Sequence, residues 1–329
     1  MTLSASDAWR EVDDVAALAT RVTPERLRRG ALELLGSRAP GLAATLADAD
    51  IRLFGVSSGF FFYPLVQWTE WEEIAPDVIE RFGVALALGH MHYAIQDAHI
   101  DAGGAPPEWE LASEAVLLLY LRELSATTGV GIDQTLELHL AYFEPYADAH
   151  LNDVAKRRSW EPYTEVEVCK LAHKSAPIGA VIRVLAAASK QSVDRANAAV
   201  DALFDFCCGL QLVDDLLDLP EDLRRGNATP AATELTRCSN LGVNELRKVA
   251  SAPGGELDVQ GFALVNGIAE RTFLRANAYF RRAADAARRN GLICLTHAAE
   301  SRTRQSQERY DESVSARISV TSSRGRSRA

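Results

Sequence analysis

The chain has 329 residues, 47% of them hydrophobic and 24% charged, the balance of a globular protein able to bury a sizeable core. Lys and Arg number 35 against 45 Asp and Glu, a formal net charge of −10. That acidity argues against nucleic acid or an anionic membrane as the main partner, and an anionic substrate would need a metal or a few placed Arg and Lys beside it. The five cysteines, Cys169, Cys207, Cys208, Cys238 and Cys294, are odd in number and lack zinc-ligand spacing, so they read as reduced thiols of a cytoplasmic protein. Met1 to Arg10 has no basic start followed by an apolar core, and no run of ~18 apolar residues occurs; neither a signal peptide nor a membrane span is expected.

Taken in order, the chain reads as all-α. Alternating strand patterns bounded by turn pairs are missing, and Ala/Leu-rich segments at helical period dominate. Asp7 to Leu35 predicts one or two helices, with Thr23-Pro24-Glu25 as a cap followed by proline in the first turn. Gly36 closes it, and Pro40-Gly41 opens a short helix to Leu53. Between Gly55 and Trp71 the residues Phe60, Phe61, Phe62, Tyr63, Trp68 and Trp71 crowd together, as core or as the wall of a pocket. Further helices are expected at Pro76–Asp101, Glu110–Ser125, Asp133–Arg158, Tyr163–Ala188 with a kink at Pro177, Asp194–Leu219, Gly261–Asn290 and Cys294–Ser313, with short ones over Ala231–Ala250. We expect one large helical domain over residues 1–314 and a disordered Ser/Arg-rich tail from Ser315 to Ala329.

The chemistry concentrates in two helix ends. Gln211-Leu-Val-Asp-Asp-Leu-Leu-Asp218 sets Asp214, Asp215 and Asp218 in an apolar helix, with Asp214 and Asp218 one turn apart on the same face. Two like charges on one face are either solvated or gathered around a cation, and Mg²⁺ takes oxygen ligands between carboxylates and phosphate. Asp97 and Asp101 repeat the spacing at the end of the Pro76 helix. If the two ends face each other, they can hold several Mg²⁺ ions and through them a diphosphate. His90, His92 and His99 near this pair lack the i, i+3 or i, i+4 pairing of a zinc site. Lys174 lies in an increasingly apolar helix, either snorkelling or turned inward as a cation for phosphate. Arg224 and Arg225 form a basic pair in a turn past the Asp-rich helix, and an Arg fork suits phosphate oxygens.

From Pro76 to Thr229 this ordered set resembles the trans-isoprenyl diphosphate synthase (polyprenyl synthetase) superfamily, most of all its terpene-cyclase members. Gln211–Asp218 resembles the second aspartate-rich motif, Asp97-Ala-His-Ile-Asp101 the first with Ala98 in place of an Asp, and Lys174-Ser175-Ala176 the Lys-Thr-Ala of the intervening helix. Arg224-Arg225-Gly226-Asn227 stands where the family has Lys-x-Gly-Lys. The resemblance implies an antiparallel helical bundle around a deep apolar cavity, the isoprenoid synthase fold. It implies three Mg²⁺ ions on Asp97, Asp101, Asp214, Asp215 and Asp218, and a prenyl diphosphate held by Lys174, Gln211, Arg224 and Arg225. Tyr93, one turn before Asp97, would point down the cavity. Members of the family often dimerise, and no interface is legible in the sequence.

The departures carry as much information. Chain-elongating members have a Gly-Gly-Lys-Arg motif before the first Asp motif and Arg-Arg-Gly after it; here the first is missing and the second reads Asp101-Ala-Gly-Gly-Ala-Pro-Pro107. A second diphosphate needs that countercharge. The pattern therefore implies a class I terpene synthase acting on one all-trans diphosphate, geranylgeranyl or farnesyl. The alternatives are a chain-elongating prenyl diphosphate synthase and a non-catalytic subunit that modulates one.

Overall fold

The computed structural model describes residues 23–48, 58–102 and 107–326. Its helices are α1 (Pro24–Arg38), α2 (Pro40–Asp48), α3 (Ser58–Trp71), α4 (Pro76–Ala102), α5 (Pro107–Thr128), α6 (Ile132–Ser159), α7 (Glu165–Leu171), α8 (Ala176–Ala188), α9 (Val193–Leu217), α10 (Leu219–Arg225), α11 (Pro230–Cys238), α12 (Val243–Ser251), α13 (Gly255–Val265), α14 (Ile268–Arg289) and α15 (Ile293–Arg326). No strand occurs among the described residues. The helix starts follow the expected local chemistry. Thr23 caps α1 by accepting from the Arg26 N–H, with Pro24 behind it. Thr164 and Glu167 form a reciprocal capping box at the start of α7.

Contacts divide the chain into two compact units, residues 1–142, 178–200 and 291–297, and residues 143–177, 201–290 and 298–329. In the first, Leu27, Ala31 and Leu35 of α1 pack with Leu65 and Trp68 of α3, Phe82, Leu86, Met91 and Ile95 of α4, Val116 and Leu124 of α5, and Val181 and Leu185 of α8. Each large side chain buried in this way stabilises the fold by about 1.5–3 kcal/mol relative to exposure. Trp68 meets the edge of Phe82 at 4.8 Å between ring centroids. Tyr63, Trp68 and Trp71 of the aromatic stretch are thus core residues. Residues 55–57 and the side chains of Phe60, Phe61 and Phe62 lie outside the described set.

In the second unit Leu219, Leu223, Leu235, Leu246, Val259 and Ile268 form the core of α10–α14. Gly209 of α9 is required by packing: a Cβ there would sit 2.6 Å from the Phe280 ring of α14. All five cysteines are free.

Three expectations need correction. The break in the Tyr163–Ala188 segment falls before Pro177, as a 3₁₀ turn over Ala172–Ser175. Pro177 has no N–H for the His173 carbonyl and its ring crowds it, so the backbone tightens upstream. The Gly261–Asn290 helix is two, α13 and α14, separated at Asn266-Gly267, where Gly267 takes φ 68°. The segment after Ser315 is helical as far as Arg326. Arg317 anchors it with two bonds to the buried Glu270 carboxylate, the Nη2 one 2.8 Å, and the Ser315 and Ser319 hydroxyls donate to carbonyls one turn back.

Candidate functional site

The Asp-rich stretch ends α9. The helix stops at Leu217, Asp218 occupies the N-cap of α10, and the turn stays helical through the Asp218 N–H to Asp214 carbonyl bond of 2.8 Å. Pro220 starts α10 without an N–H to satisfy, and Gly226 closes it in the left-handed region at φ 79°. The three carboxylates therefore part company. Asp214 and Asp218 are exposed; Asp215 is buried, 6% exposed.

Asp214 reaches water, yet the protein packed around it, with the charge of Asp218, raises its pKa to about 6 against the pull of Arg302. Burial and Glu221 raise Asp218, with Arg225 opposing. Asp215 accepts from Gln211 Nε2 at 2.8 Å through Oδ1, while its Oδ2 has no partner among the described residues. Burial, with Asp222 and Asp153 nearby, pushes its pKa up to about 8 despite Gln211 and Lys174. Asp215 thus keeps its proton at neutral pH.

Behind it lies a charged network of which the sequence reading names only Lys174. The 3₁₀ turn presents Lys174, whose Nζ donates to Asp153 Oδ2 at 2.7 Å. Arg157, one turn further along α6, donates to the same oxygen at 2.9 Å, and Tyr163 Oη donates to Asp153 Oδ1 at 3.0 Å. The Tyr163 hydroxyl also lies 2.9 Å from the Ala228 carbonyl. Burial pushes Asp153 up, but Lys174, Arg157 and Tyr163 together hold it below the usual carboxylate range, so it is ionised. Asp222 joins the same surroundings, raised to about 6 by burial and by Asp218. At neutral pH Lys174 and Arg157 are balanced by Asp153 and Asp222, and both cations are held in fixed directions by Asp153. The spacing Asp153…Arg157 on one helix was the available signal.

Arg224 and Arg225 close α10, just past the Asp-rich stretch. Both are exposed; Arg225 is engaged by Glu221 at 2.5 Å on its own helix, and Arg224 is held by its carbonyl, which accepts from Arg247. Arg302 of α15, 7% exposed, is the guanidinium beside Asp214.

Asp97 and Asp101 lie in the other unit, in the last turns of α4. Asp97 is exposed; the Asp101 side chain lies outside the described set. Tyr93, one turn earlier, is half-buried, and its Oη lies 2.8 Å from His139 Nε2 of α6. His90 and His92 are buried, and His99 faces Glu110 at 3.1 Å. Among the described residues no three His, Cys, Asp or Glu side chains converge as a metal cage. An exposed pair such as Asp214 and Asp218 fits instead a hard cation that keeps waters and shares phosphate oxygens, and their raised pKa values mark charge a cation would relieve. Helix α9 is the one described helix long and apolar enough to cross a membrane, and 56% of its apolar window is buried inside the protein.

No family model matches the chain, and no curated protein sequence does. Solved structures do. It is similar to a polyprenyl synthase from Caulobacter crescentus CB15, solved with calcium and isoprenyl diphosphate, with TM-score 0.69 and 14% identity over 92% of this chain and 98% of that one. A polyprenyl synthetase from Streptomyces coelicolor A3(2) gives TM-score 0.64 and 17% identity over 86% and 97%. A decaprenyl diphosphate synthase from Rhodobacter capsulatus gives 0.59 and 17% over 92% and 99%. The chain has the all-helical fold of the isoprenoid synthases.

Proposed function

We propose that the chain is a divalent-metal-dependent enzyme that ionises an all-trans prenyl diphosphate. One observation carries the reading: the Asp-rich stretch turns Asp214 and Asp218 outward and leaves Asp215 inward, against a network that holds Lys174 and Arg157 in place. Asp214 and Asp218 would hold Mg²⁺, as would Asp97 and Asp101 on α4, three ions in all by the resemblance. Bound there, the metal supplies charge neutralisation for the departing diphosphate. Lys174 and Arg157 offer donors whose direction is fixed by Asp153, so little reorganisation is needed when negative charge develops. Gln211 fixes Asp215 by donating to its Oδ1. The calcium and isoprenyl diphosphate in the Caulobacter structure support this substrate class.

For the fate of the cation, the missing basic motifs around Asp101 and before it favour intramolecular cyclisation of geranylgeranyl or farnesyl diphosphate, a lyase reaction. The similar structures, named as polyprenyl and decaprenyl synthases, favour the second reading, chain elongation. The two separate in one experiment: the protein is incubated with Mg²⁺ and each prenyl diphosphate, with and without isopentenyl diphosphate, and the products are analysed by mass spectrometry. Cyclisation gives hydrocarbon or alcohol without isopentenyl diphosphate. Longer diphosphates that appear only in its presence establish elongation instead.

A further inference from the structure

The first unit buries a polar cluster that its packing does not need. His139 of α6 is 6% exposed, and His92 and Tyr120 are 5% and 2% exposed, within a largely apolar core. Tyr93 Oη and His139 Nε2 are 2.8 Å apart, and the His139 ring lies 5.8 Å from the edge-on Tyr120 ring. The other ring nitrogen, His139 Nδ1, is buried with no hydrogen-bond partner among the described residues. Leaving such an atom unpaired costs about 1–3 kcal/mol and calls for an explanation other than stability. His92, by contrast, is satisfied by Ser113 at 2.8 Å. Tyr93 is half-buried, less enclosed than the imidazole its Oη touches. It also lies four residues before Asp97, on the same helix face and one turn deeper.

We propose that Tyr93 and His139 form the base that ends the carbocation sequence, taking the final proton from the hydrocarbon. This rests on the reading of Asp97 as a ligand for the diphosphate's metal, which sets the hydrocarbon running past the next turn of α4. A C–H bond next to the cationic carbon breaks, and its electron pair becomes the new C=C bond. The proton goes to Tyr93 Oη as the Tyr93 proton passes to His139 Nε2. The products are a neutral alkene and an imidazolium, and the proton then returns by the same route to the released diphosphate. Burial, with the repulsion of His92, lowers the His139 pKa to about 4, so the imidazole is neutral and ready to accept at physiological pH. A weak base suffices, because a carbocation is a far stronger acid than any imidazolium. The aromatic face of Tyr93 suits a passing cation.

The test uses Tyr93→Phe and His139→Gln with Mg²⁺ and geranylgeranyl or farnesyl diphosphate, reading diphosphate release and products separately. Tyr93→Phe removes one oxygen and leaves the ring, so folding is preserved even if His139→Gln is not tolerated. We expect the main alkene formed per diphosphate released to fall ~100-fold. The main alkene then gives way to alcohols from water capture and to isomers formed by proton loss elsewhere. Wild-type product proportions in Tyr93→Phe overturn the proposal, as does a wild-type enzyme that makes only elongated diphosphates. If the wild type releases no diphosphate from any prenyl diphosphate, the functional reading itself fails and the base assignment falls with it.

Discussion

The two units bury polar side chains by opposite means. In the first, the buried titratable groups stay neutral: burial holds His90 and His139 near pKa 4 and pushes the Tyr120 phenol up, and hydrogen bonds to Ser113 and Tyr93 take the place of ion pairs. In the second, charge is buried and paired: Asp153 carries Lys174 and Arg157, and Asp215 beside them stays protonated. A neutral polar cluster suits hydrocarbon and protons; cations held in fixed directions suit an anion. The division of chemistry proposed above follows from that difference, and changes on the charged side should act on diphosphate.

The largest effect is expected at Lys174. Lys174→Ala removes one donor from Asp153 and one cation from the substrate, and ionisation measured as diphosphate release should slow ~100-fold. Lys174 is 22% exposed, so the stability lost with the pair is discounted to about 1–2 kcal/mol, read from denaturant unfolding. Unchanged kinetics would make Lys174 a structural counterion only, and the second unit would lose its functional half of the comparison.

Gly209→Ala probes packing without touching charge. Its Cβ would meet the Phe280 ring at 2.6 Å, so α9 or the ring must shift. Overpacking of this kind costs about 1–3 kcal/mol, visible as a lowered Tm with charged contacts left in place. An unchanged Tm would show that α9 has room to move, weakening the claim that the Asp-rich stretch is held rigidly.

Asp215→Asn gives the smallest signal, in the pH dependence of stability. A carboxyl whose folded pKa is raised contributes stability fully present below the unfolded value near 3.8 and lost as pH rises through the folded value near 8. Wild-type stability should therefore carry a falling component between about pH 4 and 8, and the variant should lack it. Identical slopes would mean that Asp215 ionises normally and that Lys174 and Arg157 face one more carboxylate.

The helical pattern made most of the fold legible: capping at Thr23, the Pro76 start of α4 and the end of α9 are local signals. What escaped was set by contacts between elements. The 3₁₀ turn around Lys174 answers a proline three residues later, and the helix past Ser315 depends on Glu270, distant in sequence. Within the site, Asp214, Asp215 and Asp218 were visible as a motif, but the inward turn of Asp215 was not, because facing is decided by what packs against α9. Asp153 and His139 were invisible for the same reason: each looks like an ordinary residue of a mixed helix until its partner arrives. Arg224 and Arg225, conspicuous in the sequence, lie exposed at the end of α10, with Glu221 on Arg225 and Arg247 on the Arg224 carbonyl.

The central claim is tested most directly by Mg²⁺-dependent release of diphosphate from geranylgeranyl and farnesyl diphosphate, comparing wild type with Asp214→Ala and Asp97→Ala. The account predicts release by the wild type that chelator abolishes, and loss of release in each variant with an unfolding transition retained. Near-full turnover in either variant, or no release by the wild type, would contradict it.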